Sequence, residues 1–150
     1  MKYAHLLKLT VFSHENEDSE SILDAFLSFF PFNLEDNKIS MKKTNASGFS
    51  ETKIEIFEII LTKNNLINQF LDNLLDKLDE NQKETILRQV ESRLDNNLDL
   101  FLRFDKDSWI KDKKLLLTDS GKCFHLKMSV AAFPKKREVA LNVIKELLSK

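Results

Sequence analysis

Apolar and polar residues alternate most clearly in the last third of the chain. Leu98–Phe104 and Phe124–Ala132 carry apolar side chains at every second position, the period of a strand with one buried face. Between them, Lys114–Thr118 is predicted to form a short strand, joined to the next one by a hairpin turn at Asp119–Lys122. After Pro134 the apolar positions follow a helical period, so we expect a closing helix.

The earlier part of the chain shows both kinds of pattern. Lys2–Phe12 is apolar on both faces of its predicted strand, which favours the middle of a sheet or a contact between subunits. The further predicted strands are Lys38–Lys43 and Lys53–Leu61, and the further predicted helices are Ser19–Phe30, Asn64–Leu78 and Glu80–Leu94. This order predicts a single α+β domain over residues 1–150: a two-layer sandwich of one antiparallel or mixed sheet with helices on one face.

Composition narrows the class of protein. With 42% hydrophobic and 31% charged residues in 150, the chain is expected to fold as a globular domain that buries about 70% of its extended surface. Its one cysteine, Cys123, excludes an internal disulfide. We find no zinc-type Cys and His spacing, no phosphate-binding loop, no signal peptide and no apolar run of transmembrane length. The expectation is a cytoplasmic protein with no metal site, no cofactor and no membrane span.

Charge is distributed unevenly along the chain. The net charge of −1 argues against nucleic acid when taken alone. Residues 99–150, however, contain 12 Lys and Arg against 7 Asp and Glu, whereas residues 1–98 contain 11 against 17. A local excess of cations is what phosphate contacts require. The candidate contacts in the basic half are Arg103, Lys106, Lys113, Lys114, Lys135, Lys136 and Arg137.

Three short segments carry a family resemblance. They are Leu102–Lys106, Ala131–Glu138 and Phe12–Asp18, the last followed by a predicted helix that ends at Pro31. They resemble an archaeal family of small RNA-binding proteins described as predicted exosome accessory subunits. The resemblance implies RNA as a partner, assembly with an RNA-processing complex, and a fold similar to the ribosomal protein that holds 5S rRNA. The family's glycine-rich His-Gly-Asn loop is replaced here by Asn45–Ser50, which keeps one glycine.

Three functions compete on this basis. The first is a non-catalytic RNA-binding protein for structured or duplex RNA, because Phe101 is the only ring that we assign to an open strand face. The second is a structural or interaction module that acts as a homodimer or docks on a larger assembly. The third is an enzyme with Asp105, Asp107 and Asp112 as metal ligands and His125 as a general base. No ligand spacing or pairing of nucleophile and base supports the third.

Two local expectations concern the candidate cations. After the strand that ends at Phe104, we expect Asp105 to cap the next segment and Lys106 to reach a phosphate without contributing to stability. We also place Lys135–Arg137 in the first turn of the closing helix. There, unpaired backbone N–H groups and three basic side chains would converge on an anion.

Overall fold

Five strands and six helices make up the part of the chain that the computed structural model describes, residues 1–47 and 52–150. The strands are β1 (Ala4–His14), β2 (Lys42–Ser47), β3 (Lys53–Leu61), β4 (Asp99–Asp105) and β5 (Cys123–Val130). The helices are α1 (Ser19–Leu27), α2 (Asn64–Asp76), α3 (Glu80–Arg88), α4 (Val90–Arg93), α5 (Lys106–Asp112) and α6 (Arg137–Leu148). The predicted loop Asn45–Ser50 overlaps β2 up to Ser47, and its remainder lies outside the described residues.

The strands form one antiparallel sheet in the order β2-β3-β1-β5-β4. On one face the alternate side chains Leu7, Leu9 and Val11 of the central strand β1 are buried beneath the helices. On the other face of β1, Phe12 is 46% exposed. The predicted two-layer α+β architecture is confirmed, and the first strand lies in the middle of the sheet, one of the two positions that its two apolar faces favoured.

Aromatic rings join the helix layer to the sheet. The ring of Phe29, just after α1, lies 5.1 Å from that of Phe124 on β5 and 4.9 Å from that of Trp109 on α5, measured between centroids. The indole Nε1 of Trp109 donates to the carbonyl oxygen of Ala25 at 2.9 Å, so its polar atom is satisfied although the side chain is buried. These contacts fix α5 against α1 and the sheet.

Aspartates begin three of the helices. The carboxylate of Asp18 caps α1, that of Asp79 caps α3 within a reciprocal capping box, and that of Asp105 caps α5. Asp105 accepts from the backbone N–H of Ser108 at 2.9 Å and from its hydroxyl at 2.7 Å. The predicted capping role of Asp105 is confirmed, and α5 begins directly after β4.

Two predicted strands are wrong. Only Lys42 and Lys43 of the predicted strand Lys38–Lys43 are in a strand: Lys38 ends a turn with a left-handed backbone, and Ile39 donates back to the carbonyl of Leu34. Lys114–Thr118 makes only an isolated bridge with β4 and never pairs with β5, so no hairpin joins them. The residues that precede Lys114–Thr118 form the helix α5. The sequence did not predict this helix, because its 7 residues are too few to show a helical period.

Candidate nucleic-acid interface

The predicted cations fall in separate places on the fold. Arg103 lies on β4, on the face of the sheet that the helices leave open. Lys113 and Lys114 follow α5, which continues from the C-terminal end of β4, whereas Lys135 and Lys136 follow the C-terminal end of β5. Because β4 and β5 are antiparallel, these two lysine pairs lie at opposite ends of the sheet. The described chain therefore does not gather the predicted cations into one basic cluster.

Lys106 is buried, and the expectation that it stands in solvent ready for a phosphate is wrong. Only 2% of this residue is exposed. Its Nζ donates to the carbonyl oxygen of Phe12 at 2.6 Å and lies 3.1 and 3.3 Å from the two carboxylate oxygens of Glu17. As the first residue of α5, it extends across the end of the sheet to the end of β1. A lysine ammonium has three donors, and here all of them have protein partners.

Glu17 is held ionised by the same contacts. Burial raises the pKa of this carboxyl, but the backbone N–H of His14 and the ammonium of Lys106 outweigh burial, so the pKa lies below its usual value of 4.5. The N–H of His14 donates to the carboxylate at 3.0 Å. The segment after β1 is therefore joined to α5 by a buried ion pair, and we assign Lys106 a structural role.

Arg137 is likewise engaged in the fold. Its guanidinium donates to the carbonyl oxygens of Glu91 at 2.8 Å and Leu94 at 3.0 Å, and it pairs with the Glu91 carboxylate at 3.0 Å. The helix α6 begins at Arg137, with Lys136 as its N-cap residue, so only Arg137 lies in the first turn. The expected convergence of three cations on that turn is wrong, because Lys135 and Lys136 precede the helix and Arg137 faces α4.

The four remaining lysines of the prediction are exposed. Lys114, Lys135 and Lys136 make no salt bridge with any residue of the described ranges. Lys113 has a left-handed backbone and places its ammonium 5.6 Å from the centre of the Trp109 ring. These side chains can meet phosphates without first breaking an ion pair.

The open face of the sheet carries three rings that the sequence did not bring together. Strand register places Thr10, His125 and Arg103 in one row across β1, β5 and β4. The row toward the C-terminal end of β1 contains Phe12, and the row toward its start contains Phe101. In full, the first two rows are Lys8, Lys127 and Phe101, and Thr10, His125 and Arg103; beyond them, Cys123 lies opposite Asp105, and Phe12 is two residues after Thr10 on β1.

The rings and cations of this face are interleaved. The ring of Phe101 lies 5.5 Å from that of His125, with 32° between their planes. The salt bridge of Lys8 with Glu58 is long, at 3.9 Å, and so is that of Lys127 with Asp99, at 3.7 Å. A hollow of about 520 Å³ opens over the face, and its lining includes Lys8, Phe12, Arg103 and His125. The arrangement offers ring faces and positive charge side by side.

His125 is neutral in this setting. Partial burial lowers the pKa of its imidazole, and the charges of Arg103 and Lys8 lower it further from the usual 6.5. The ring therefore contributes as an uncharged aromatic surface at neutral pH. The alternation of β5 had placed His125 opposite the buried residues, but only the pairing of three strands shows that it lies between Phe12 and Phe101.

Two of the aspartates of the enzyme alternative make structural contacts. Asp105 caps α5, and Asp107 pairs with Lys122 at 3.1 Å. Across residues 1–47 and 52–150, no group of three or more His, Cys, Asp and Glu side chains is arranged to hold a metal ion. Among the helices of the described chain, none has the length and apolar character needed to cross a membrane.

Comparison with protein families and curated proteins gives a consistent result. A family model described as RNA binding matches residues 7–130, a segment that runs from within β1 to the last residue of β5. A curated RNA-binding protein of Pyrococcus abyssi is 24% identical over 146 residues, which cover 97% of this chain and 94% of that protein.

Solved structures share the whole fold. A protein of Archaeoglobus fulgidus is 30% identical, with a TM-score of 0.84 over 96% of this chain and 99% of that one. A protein of Sulfolobus solfataricus is 27% identical, with a TM-score of 0.76 over 96% and 98% of the two chains. The similarity therefore covers both layers and is not confined to one motif.

Proposed function

Since the chain belongs to the RNA-binding family, we propose that it is a non-catalytic protein that binds structured RNA in the cytoplasm, as an accessory to RNA processing or decay. The observation that carries the proposal is the extent of the family match, residues 7–130, which includes most of β1 and the whole of the other four strands of the described sheet. The relative from Pyrococcus abyssi, also named an RNA-binding protein, supports the same activity.

Exposed lysines at both ends of the sheet support phosphate contacts. Lys113 and Lys114 lie at one end and Lys135 and Lys136 at the other, all of them exposed. Lysines that neutralise phosphates release counterions, which supplies most of the sequence-independent affinity for nucleic acid. This part of the affinity does not require a charged groove or cluster, because each lysine contributes through the phosphate that it contacts. Lys106 and Arg137 are left out of the proposed surface, since protein groups already hold them.

The rings of the open face remove the reason to prefer duplex RNA over unpaired RNA. That preference rested on Phe101 as the only ring of an open strand face, whereas Phe12 and His125 lie on the same face. Structured RNA usually combines helices with loops, so phosphate contacts to paired regions and ring contacts to unpaired bases are compatible. We therefore keep structured RNA as the proposed partner, without restricting it to continuous duplex.

An interaction module is the second candidate. It is favoured by the exposed apolar side chains of the open face: Phe12 is 46% and Ile60 is 44% exposed. Such a face can pair with a second copy of the chain or dock on an RNA-processing complex. Sedimentation of the RNA-free protein at micromolar concentration distinguishes a homodimer from a single copy.

The salt dependence of RNA affinity tests the proposed function. With a fluorescently labelled RNA hairpin, we expect binding whose log K falls linearly with log salt. Replacing Lys135 and Lys136 together by serine should reduce that slope by about two, one for each lost phosphate contact, and leave the folded protein as stable as before. Fluorescence anisotropy across a salt series measures the slope.

A matched double variant controls for the loss of charge. Lys63 and Lys145 are exposed in the helix layer and, like the test pair, make no salt bridge within the described ranges. Replacing both by serine changes net charge by the same amount and should leave the slope near the wild-type value. Equal slopes for all three proteins would remove Lys135 and Lys136 from the interface, and a wild-type protein that binds no RNA would contradict the proposed function itself.

A further inference from the structure

Phe12, His125 and Phe101 form a straight diagonal across three adjacent strands of the open face. His125 lies opposite Thr10 on β1 and opposite Arg103 on β4. Phe12 is two residues beyond Thr10, and Phe101 is two residues before Arg103. Since β1 and β4 run in the same direction, these steps lead to opposite sides of His125. Each ring is thus the diagonal neighbour of the next.

The spacing of the diagonal suits separated bases. Diagonal neighbours on antiparallel strands have backbones about 7–8 Å apart. The rings of Phe101 and His125 come to 5.5 Å between centroids. Stacked bases in a helix follow each other about every 3.4 Å along a strand. A helical strand therefore cannot place successive bases on successive rings, whereas an unpaired strand with splayed bases can.

Cations flank the rings on both sides of the diagonal. Arg103 lies beside His125, and its guanidinium donates to the carbonyl of Asp119 at 3.1 Å but pairs with no carboxylate in the described ranges. Lys8 and Lys127 lie on the other side, in long ion pairs. A backbone that follows the rings would run between positive charges, which complements its phosphates. Lys135 and Lys136 continue beyond the same end of the sheet as Phe101.

We propose that the open face of the sheet binds an unpaired RNA segment, with one base on each of Phe12, His125 and Phe101 and with Arg103 against the backbone. The proposal rests on the RNA-binding function above and specifies its site and the form of RNA that the site takes. Stacking on rings is tolerant of sequence, because every base has an aromatic face.

Oligouridine of about 12 nucleotides is the probe, since sheet-based sites for single strands span about 4–16 nucleotides. By fluorescence anisotropy, wild-type protein should bind it more tightly than an RNA duplex of equal length. Phe12→Ala and Phe101→Ala should each weaken binding about 5-fold or more, the usual effect of removing one stacking ring. Phe12→Tyr keeps a ring and should bind like wild type.

Ile60→Ala is the matched control. Ile60 lies on the same face of β3, 44% exposed against 46% for Phe12, and is aliphatic. If ring stacking matters, Ile60→Ala should bind the oligonucleotide as wild type does. An abasic ribose–phosphate chain of the same length tests base stacking on the wild-type protein. It should bind at least about 5-fold more weakly than oligouridine.

The outcomes separate the site from the function. If wild-type protein binds neither single strand nor duplex, both proposals fail. Suppose that the wild-type protein binds RNA, that the ring variants bind it as tightly as wild type does, and that the abasic chain binds as tightly as oligouridine. The stacking site is then overturned and the RNA-binding function stands. If Phe12→Ala and Ile60→Ala dissociate a dimer in sedimentation and neither changes RNA affinity, the open face is a contact between copies and the site is overturned.

Discussion

Replacing Lys106 with methionine should lower the free energy of unfolding by about 2–3 kcal/mol. Methionine fills similar space but leaves the carbonyl of Phe12 and the carboxylate of Glu17 without their donor. Breaking a buried ion pair costs about 3–5 kcal/mol, and we expect less because the side chain of Glu17 is 19% exposed. Urea unfolding followed by far-ultraviolet circular dichroism measures the change.

Lys122→Met is the control for Lys106→Met. Lys122 pairs with Asp107 at 3.1 Å, but both side chains are about half exposed, at 55% and 47%. An exposed pair contributes little, so this variant should unfold at nearly the wild-type urea concentration. If Lys106→Met were as stable as Lys122→Met, the buried position of the ammonium would be wrong and Lys106 would return to the candidate RNA surface.

The pH dependence of stability provides a further reading of the same ion pair. Because the pKa of Glu17 is depressed in the folded protein, its contribution is present above the unfolded value of 4.5 and is lost as pH falls through the folded pKa. The gap in stability between wild type and Lys106→Met should therefore narrow below about pH 4.5. A gap that stays constant down to pH 3 would mean that Lys106 contributes through packing alone.

Arg137→Ala should lower the free energy of unfolding by about 1–2 kcal/mol. The substitution removes the donors for the carbonyls of Glu91 and Leu94, where α4 ends and the chain turns toward β4. Thermal unfolding should show the loss for Arg137→Ala and none for Lys136→Ala, whose side chain makes no cap hydrogen bond. The opposite ranking would return Arg137 to the set of free cations.

Periodicity predicted the strands and helices that have a buried face. Lys53–Leu61 was predicted with the bounds that β3 has, and β5 and α2 were predicted to within two residues at each end. Asp105 was recognised as a cap because a cap depends on neighbours three residues away. β2 was misplaced because all of its residues are exposed, so no alternation marks it.

The site depended on contacts between distant residues. The sequence around Lys106 is typical of a surface lysine. Only the fold brings Glu17, 89 positions away, to its ammonium. Arg137 is likewise paired with a distant residue, Glu91, which lies 46 positions away in the sequence. The ring diagonal needs the register of β1, β5 and β4, which no single strand encodes. Charge alone therefore identified the basic half and overestimated how many of its cations are free.

Ultraviolet crosslinking of the wild-type protein to an RNA hairpin with a uridine-rich loop tests the central claim most directly. Mass spectrometry of the crosslinked peptides then reports which side chains touch bases, without any substitution in the protein. We predict crosslinks in β1, β4 and β5, at Phe12, Phe101 and His125, whose rings share the open face. Crosslinks confined to the helix layer, in α2 or α6, would contradict the claim that RNA binds on the open face of the sheet.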